Sequence, residues 1–223
     1  MKLSDKTITI LKNFATINQS MWFRKGTRQT TVEVDDHVAA IAELEDLPQD
    51  FGIYDLNQFL ANISTLNSPE LTFKEKSVHL SDGNISMDYP YADAAVLKKL
   101  REAEVEDLTV DAPDVEFELN QDSYQKIVKL ANMNDVPIIS ITGKNGKLSC
   151  VAESLELKSA PTASYVIGEY TGKDFRASFN LKFLNILPNN YSVKLQNPDF
   201  GIFTSKDVSY LIAQEIQPKK GAK

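Results

Sequence analysis

The sequence predicts an α+β protein of two similar halves, each with two helices packed on one face of antiparallel sheets. Three observations carry this expectation. A unit of one short amphipathic helix followed by apolar-alternating strands is written four times. Gly, Asn and Asp turns join the strands. An acid-rich stretch ending in a proline, Lys98 to Asp114, separates the second unit from the third and reads as an exposed connector. The four copies match by pattern rather than by identity.

The first unit opens with Ser4-Asp5 as a helix cap, followed by Ile10, Phe14 and Ile17 at i, i+4, i+7 with Leu11 beside them. Strands are expected at Met21 to Arg24, Thr31 to Val34 and Val38 to Leu44, with a turn at Lys25-Gly26. In the second unit Asp55 caps a helix carrying Leu56, Phe59, Leu60 and Ile63, and strands follow at Glu70 to Lys74, Ser77 to Leu80 and Ile85 to Tyr89. The third has a strand Val115 to Leu119, then Asp122-Ser123 capping a helix with Tyr124, Ile127, Val128 and Ala131 apolar. Val136 to Thr142 and Lys147 to Val151 flank Asn145-Gly146, the strongest hairpin signal in the chain. The fourth has Phe175 to Phe179, a helix through Leu181, Phe183, Leu184 and Leu187 ended by Pro188, and strands Tyr191 to Leu195, Gly201 to Thr204 and Tyr210 to Ile216. The expected domains are 1–104 and 115–217, with a connector 105–114 and a polar tail 218–223.

Composition bounds the chemistry. At 223 residues, 42% hydrophobic and 25% charged, the chain is an ordinary globular one. No stretch approaches the roughly 20 apolar residues of a bilayer span, and the start Met1-Lys2-Leu3-Ser4-Asp5-Lys6 lacks an apolar signal core, so an intracellular protein without membrane contact is expected. Cys150 is the only cysteine, read as a buried strand thiol, and His37 and His79 are the only histidines. That leaves little for a disulfide, a zinc site or a Ser/His/Asp triad, and no catalytic residue, metal or cofactor is expected. The net charge of −7 argues against nucleic acid only as an average; the distribution of the basic residues decides.

Several patterns have a sharp and a bland reading. Gly143-Lys144-Asn145-Gly146-Lys147 lacks the spacing and the Ser or Thr of a phosphate loop, with Leu148 in that place, so the hairpin reading prevails. Glu102/Glu104 and Asp35/Asp36 are read as solvated charge in a connector and a turn. Lys12, Lys126, Lys129 and Lys182 sit on the polar sides of the expected helices. Spacing alone makes them surface decoration; on one shared surface they would form a strip that holds a phosphate backbone without reading sequence. Trp22, Phe23, Arg24, Lys25 and Arg28 form either a platform for single-stranded bases or a half-buried strand with a basic loop.

With the four units laid out, the chain resembles the DNA sliding clamps, polymerase processivity factors, and within them those of T-even-type bacteriophages. Met1-Lys2-Leu3-Ser4, Leu11-Lys12-Asn13-Phe14-Ala15-Thr16-Ile17-Asn18 and Ile53-Tyr54-Asp55-Leu56-Asn57 with Phe59-Leu60 carry the likeness. The last unit, Phe179-Asn180-Leu181-Lys182-Phe183-Leu184-Asn185 through Tyr210-Leu211-Ile212-Ala213, is similar in layout to that of proliferating cell nuclear antigen. The resemblance implies the DNA clamp fold, a homotrimeric ring of six pseudo-equivalent domains with helices lining a hole for duplex DNA. It implies subunits joined by pairing sheet edges, sought near Ile85 to Tyr91 and Ala163 to Tyr170.

The same resemblance makes Lys12, Lys126, Lys129 and Lys182 candidate DNA contacts, with Lys6, Arg24 and Lys25 behind them. It implies a replicative DNA polymerase and an ATP-driven clamp loader as partners, assistance to phage late transcription, and work in the cytoplasm of an infected bacterium. Partner peptides would enter a pocket of Val38, Ile41, Val105, Leu108 and Ile212, residues that are equally well ordinary core. The departure after Asn18 and the basic Pro218-Lys219-Lys220 tail leave loop and tail contacts open. The rivals are a scaffold protein that assembles through the same edges without DNA, and an acidic enzyme using carboxylates.

Overall fold

The computed structural model describes residues 1–100 and 108–215. The chain forms two compact units, Met1–Leu108 with Asp207–Ser209 and Thr109–Lys206 with Tyr210–Lys223.

In the first unit, helix α1 (Asp5–Ile17) starts where the Ser4 hydroxyl accepts the Thr7 N–H, and buries Ile10, Leu11 and Phe14. Strands β1 (Met21–Phe23) and β4 (Phe51–Ile53) pair antiparallel, and Phe23 stacks on Phe51 at 4.6 Å between ring centroids. Strands β2 (Gly26–Val32) and β3 (Val38–Leu47) form a hairpin. Helix α2 (Leu56–Thr65), capped by Asp55, buries Leu56, Phe59, Leu60 and Ile63. The remaining strands, β5 (Glu70–Phe73), β6 (Ser77–Ser81) and β7 (Ser86–Pro90), make a three-stranded sheet in that order. Their alternation buries Leu71, Val78, Leu80 and Tyr89 beneath the helices' apolar side.

The second unit sets β8 (Val115–Leu119), β13 (Tyr191–Gln196), β14 (Phe200–Thr204) and β15 (Val208–Ala213) side by side. A second sheet runs in the order β11 (Ala163–Glu169), β10 (Lys147–Glu153), β9 (Ile138–Lys144), β12 (Phe175–Asn180). Helix α3 (Gln121–Met133) packs on β9, β10 and β11. Asn145 and Gly146, at φ of 51° and 75°, make the tight β9–β10 turn the Asn-Gly pair requires. Cys150 is a buried strand residue, and burial pushes its thiol up to about 12.

Three expectations are corrected. Residues 181–184 form a single turn rather than a fourth helix. In a helix the Leu184 carbonyl would accept from residue 188, which is proline and has no N–H; the Tyr124 hydroxyl takes that carbonyl instead at 2.5 Å. α3 is capped by Asn120, whose side chain accepts the Ser123 N–H at 2.8 Å, two residues before the expected cap. β2 begins at Gly26 and ends at Val32, short of Val34. Residues 105–107 of the expected connector, Glu102, Glu104 and the tail 218–223 lie outside the described residues. Among the described residues no helix is long and apolar enough to cross a membrane.

Candidate nucleic-acid interface

Lys6, Lys12, Lys126 and Lys129 lie on helices whose opposite faces are buried. On α1 the apolar residues recur on one side, so Lys6, Thr9, Lys12 and Thr16 are left exposed on the other. Lys12 projects freely into solvent, whereas the Lys6 ammonium is 2.8 Å from Asp207 Oδ1. Beside it α2 carries no charged side chain at all, and exposes Asn57, Gln58, Ala61, Ser64 and Thr65. The two helices join at one end through the Leu56 N–H and the Gln19 carbonyl, 2.8 Å apart. At the other end they flank a cleft of ≈ 360 Å³ lined by Leu3, Ile8, Lys12, Ile63 and Ser64 among others.

In the second unit α3 buries Ser123, Tyr124, Ile127 and Ala131 and exposes Gln125, Lys126, Lys129 and Asn132. Lys126 and Lys129 are one turn apart on its outer side. The Lys126 ammonium is 5.6 Å from the centre of the Tyr165 ring on β11. Lys182 is exposed, but on the 181–184 turn, with its ammonium 5.2 Å from the Phe183 ring.

Arg24 and Lys25 do not share the α1 face. Both stand at the corner between β1 and β2: the half-buried Arg24 donates to the Leu100 carbonyl at 3.0 Å, and the Lys25 N–H donates to Asp50 at 2.6 Å. The aromatics there are committed as well, Phe23 in the core and Trp22 with the Lys99 ammonium 4.7 Å from its ring. This is the half-buried strand with a basic loop rather than an open stacking platform.

Three of the five expected pocket residues are buried. Val38, Ile41 and Ile212 are 3%, 6% and 0% exposed. A peptide pocket has to offer apolar surface to solvent, and these three offer almost none. Leu108 is half-buried, and Val105 lies outside the described residues.

The sheet ends differ in how they are closed. β5 is covered by Met1, which exchanges two backbone hydrogen bonds with Leu71 at 2.7 and 2.8 Å. β12 is covered by Glu215, whose N–H donates to the Ser178 carbonyl at 2.8 Å. At the opposite ends lie β7 and β11, next to or bearing the exposed apolar Ile85 and Val166. Strand β11 was not visible as a strand from alternation, because both of its faces carry polar or exposed positions.

Residues 2–106 match the family model described as DNA polymerase processivity factor. The chain is 30% identical over 230 residues to the sliding clamp of Escherichia phage RB69, covering 96% of this chain and 97% of that one. It belongs to the sliding-clamp family. The sliding clamp of Vibrio phage KVP40 is 29% identical over 221 residues, with 96% and 99% of the two chains covered. Solved structures share the fold at lower identity. The PCNA of A. fulgidus superposes with a TM-score of 0.71 at 11% identity over 95% of this chain and 96% of that one. The β chain of DNA polymerase III from Streptococcus pneumoniae gives 0.69 at 10% identity, over 95% of this clamp and 63% of that chain. This clamp is therefore a processivity factor of phage DNA replication and not an enzyme.

Proposed function

We propose that the clamp closes as a homotrimer around duplex DNA and tethers a replicative polymerase to it. The observation that carries this reading is the placement of Lys12 on α1 and of Lys126 and Lys129 on α3, each on the exposed face of a capped helix whose other face is core. Such contacts are ionic and independent of sequence, which suits a protein that must slide. Lys182 adds a cation from a turn, the Lys6 ammonium and the Arg24 guanidinium have partners within the chain and contribute less, and Lys25 stands at the β1–β2 corner away from the α1 face.

Two units per chain and six domains per ring give three subunits. The strands best suited to join them are β7 and β11, since Met1 and Glu215 occupy the opposite ends of those two sheets. A ring needs a separate ATP-driven loader to open it, and the sequence has no nucleotide-binding motif of its own. Assistance to late transcription and work in the host cytoplasm complete the reading.

Sedimentation and a topological retention assay test it together. A discrete trimer that stays on closed circular DNA after loading, and leaves when the circle is cut, is expected. A monomer, an open polymer, or equal retention on cut DNA would overturn it; an open polymer would favour a scaffold instead.

A further inference from the structure

The turn between β2 and β3 brings together side chains that DNA tethering does not use. Glu33, Asp35 and His37 alternate along it, and each offers one ligand atom, all within 4.8 Å of one another. We propose that Glu33, Asp35 and His37 form a binding site for a divalent cation of the zinc, nickel or cobalt class. The proposal does not depend on the ring or on DNA.

The turn is built before any ion arrives. The Glu33 N–H donates to the Val38 carbonyl at 2.8 Å, and the Asp36 N–H to the Glu33 carbonyl at 3.1 Å, with Asp36 at φ 64°. The Glu33 carboxylate accepts the Asp35 N–H at 2.8 Å, which fixes the first ligand against the backbone of the second. His37 Nδ1 lies 3.3 Å from Glu33 Oε2. A carboxylate oxygen only accepts, so the proton between them sits on Nδ1. Metal binding requires Nδ1 to release that proton and turn its lone pair to the ion.

Charge fits as well. The third acid of the turn, Asp36, is taken by the Lys98 ammonium at 2.8 Å, which also donates to the Val34 carbonyl at 2.5 Å. Glu33 and Asp35 are left, two negative charges for one divalent ion. Two oxygens and an imidazole nitrogen select borderline cations over calcium or magnesium, and bonds of about 2.0–2.2 Å close the set after small rotations of exposed side chains. Water completes the coordination. The other histidine makes the contrast: His79 is 3.0 Å from Asp88 Oδ1, but Lys74 places its ammonium 2.6 Å from that same oxygen, where a cation would have to sit.

The test is calorimetric titration of the chelator-treated full chain with zinc or nickel chloride, on the parent and on His37→Ala, Asp35→Asn and His79→Ala. One ion per chain is expected, with affinity at least about tenfold weaker for His37→Ala and Asp35→Asn and unchanged for His79→Ala. Imidazole nitrogen spectra should show Nδ1 of His37, and not that of His79, change when the ion binds. Asp35→Asn keeps the size of the turn side chain, so it decides the matter should His37→Ala fold poorly. Absence of saturable binding, equal affinity in parent and variants, or displacement by equimolar magnesium or calcium would overturn the site.

Discussion

The hydroxyl of Tyr124, on α3, donates to the carbonyl of Leu184, 60 residues later, at 2.5 Å, and lies 3.3 Å from the carbonyl of Ile186. Burial pushes this hydroxyl up to about 12, so it remains a donor throughout the physiological range. One side chain thus satisfies the Leu184 carbonyl, to which Pro188 can offer no N–H, and holds a turn where the apolar spacing predicts a helix. Tyr124→Phe should therefore cost about 1–3 kcal/mol, from the orphaned Leu184 carbonyl. Urea unfolding measures it, and amide exchange should quicken around Leu184 to Leu187.

Gly52 on β4 is a second point of dense packing. A Cβ there would meet Leu97 Cδ1 at 2.5 Å and the Ala92 carbonyl at 2.8 Å. Gly52→Ala should destabilise the first unit by about 1–3 kcal/mol, since the backbone oxygen cannot move as a side-chain end can. The denaturation midpoint should fall at unchanged slope.

Changing Lys12, Lys126 and Lys129 together to Ala should weaken retention on circular DNA while leaving the trimer in sedimentation. The dependence of retention on salt should flatten by about 0.9 in log–log slope for each phosphate that is no longer neutralised. Normal sliding and loading by the triple variant would show that these helix faces do not meet DNA. Changing Lys6 alone should do less, because Asp207 already holds it.

Glu45 on β3 links pH to folding. Burial raises its carboxyl, but hydrogen bonds from Thr7 and Ser4 outweigh it and hold the group below its ordinary value. The Ser4 N–H donates to it at 2.8 Å, at the cap of α1. A depressed carboxylate contributes stability above its unfolded value, and that contribution is lost as pH falls through the lower folded value. Glu45→Gln should lower the melting temperature at neutral pH and flatten its decline in acid. Equal acid sensitivity in both proteins would place the linkage elsewhere.

Much of this molecule was legible in its sequence, because the signals concerned are local. Ser4 and Asp55 cap their helices through their own backbone neighbours. Asn145-Gly146 makes its turn by its own dihedrals, and the 3.6-residue spacing of Ile10, Phe14 and Ile17 fixes the side of α1 that turns outward with Lys12. Tertiary structure alone decided the rest. Whether 181–184 coils into a helix depended on a hydroxyl from α3. Lys6 and Lys12, six residues apart on one helix, differ only because a distant Asp207 reaches one of them. The near-complete burial of Val38, Ile41 and Ile212 is likewise a property of the fold, since their sequence reads equally as pocket or core. Hydrophobic period and turn chemistry are properties of a segment, whereas burial and ion pairing belong to whatever the fold brings alongside it.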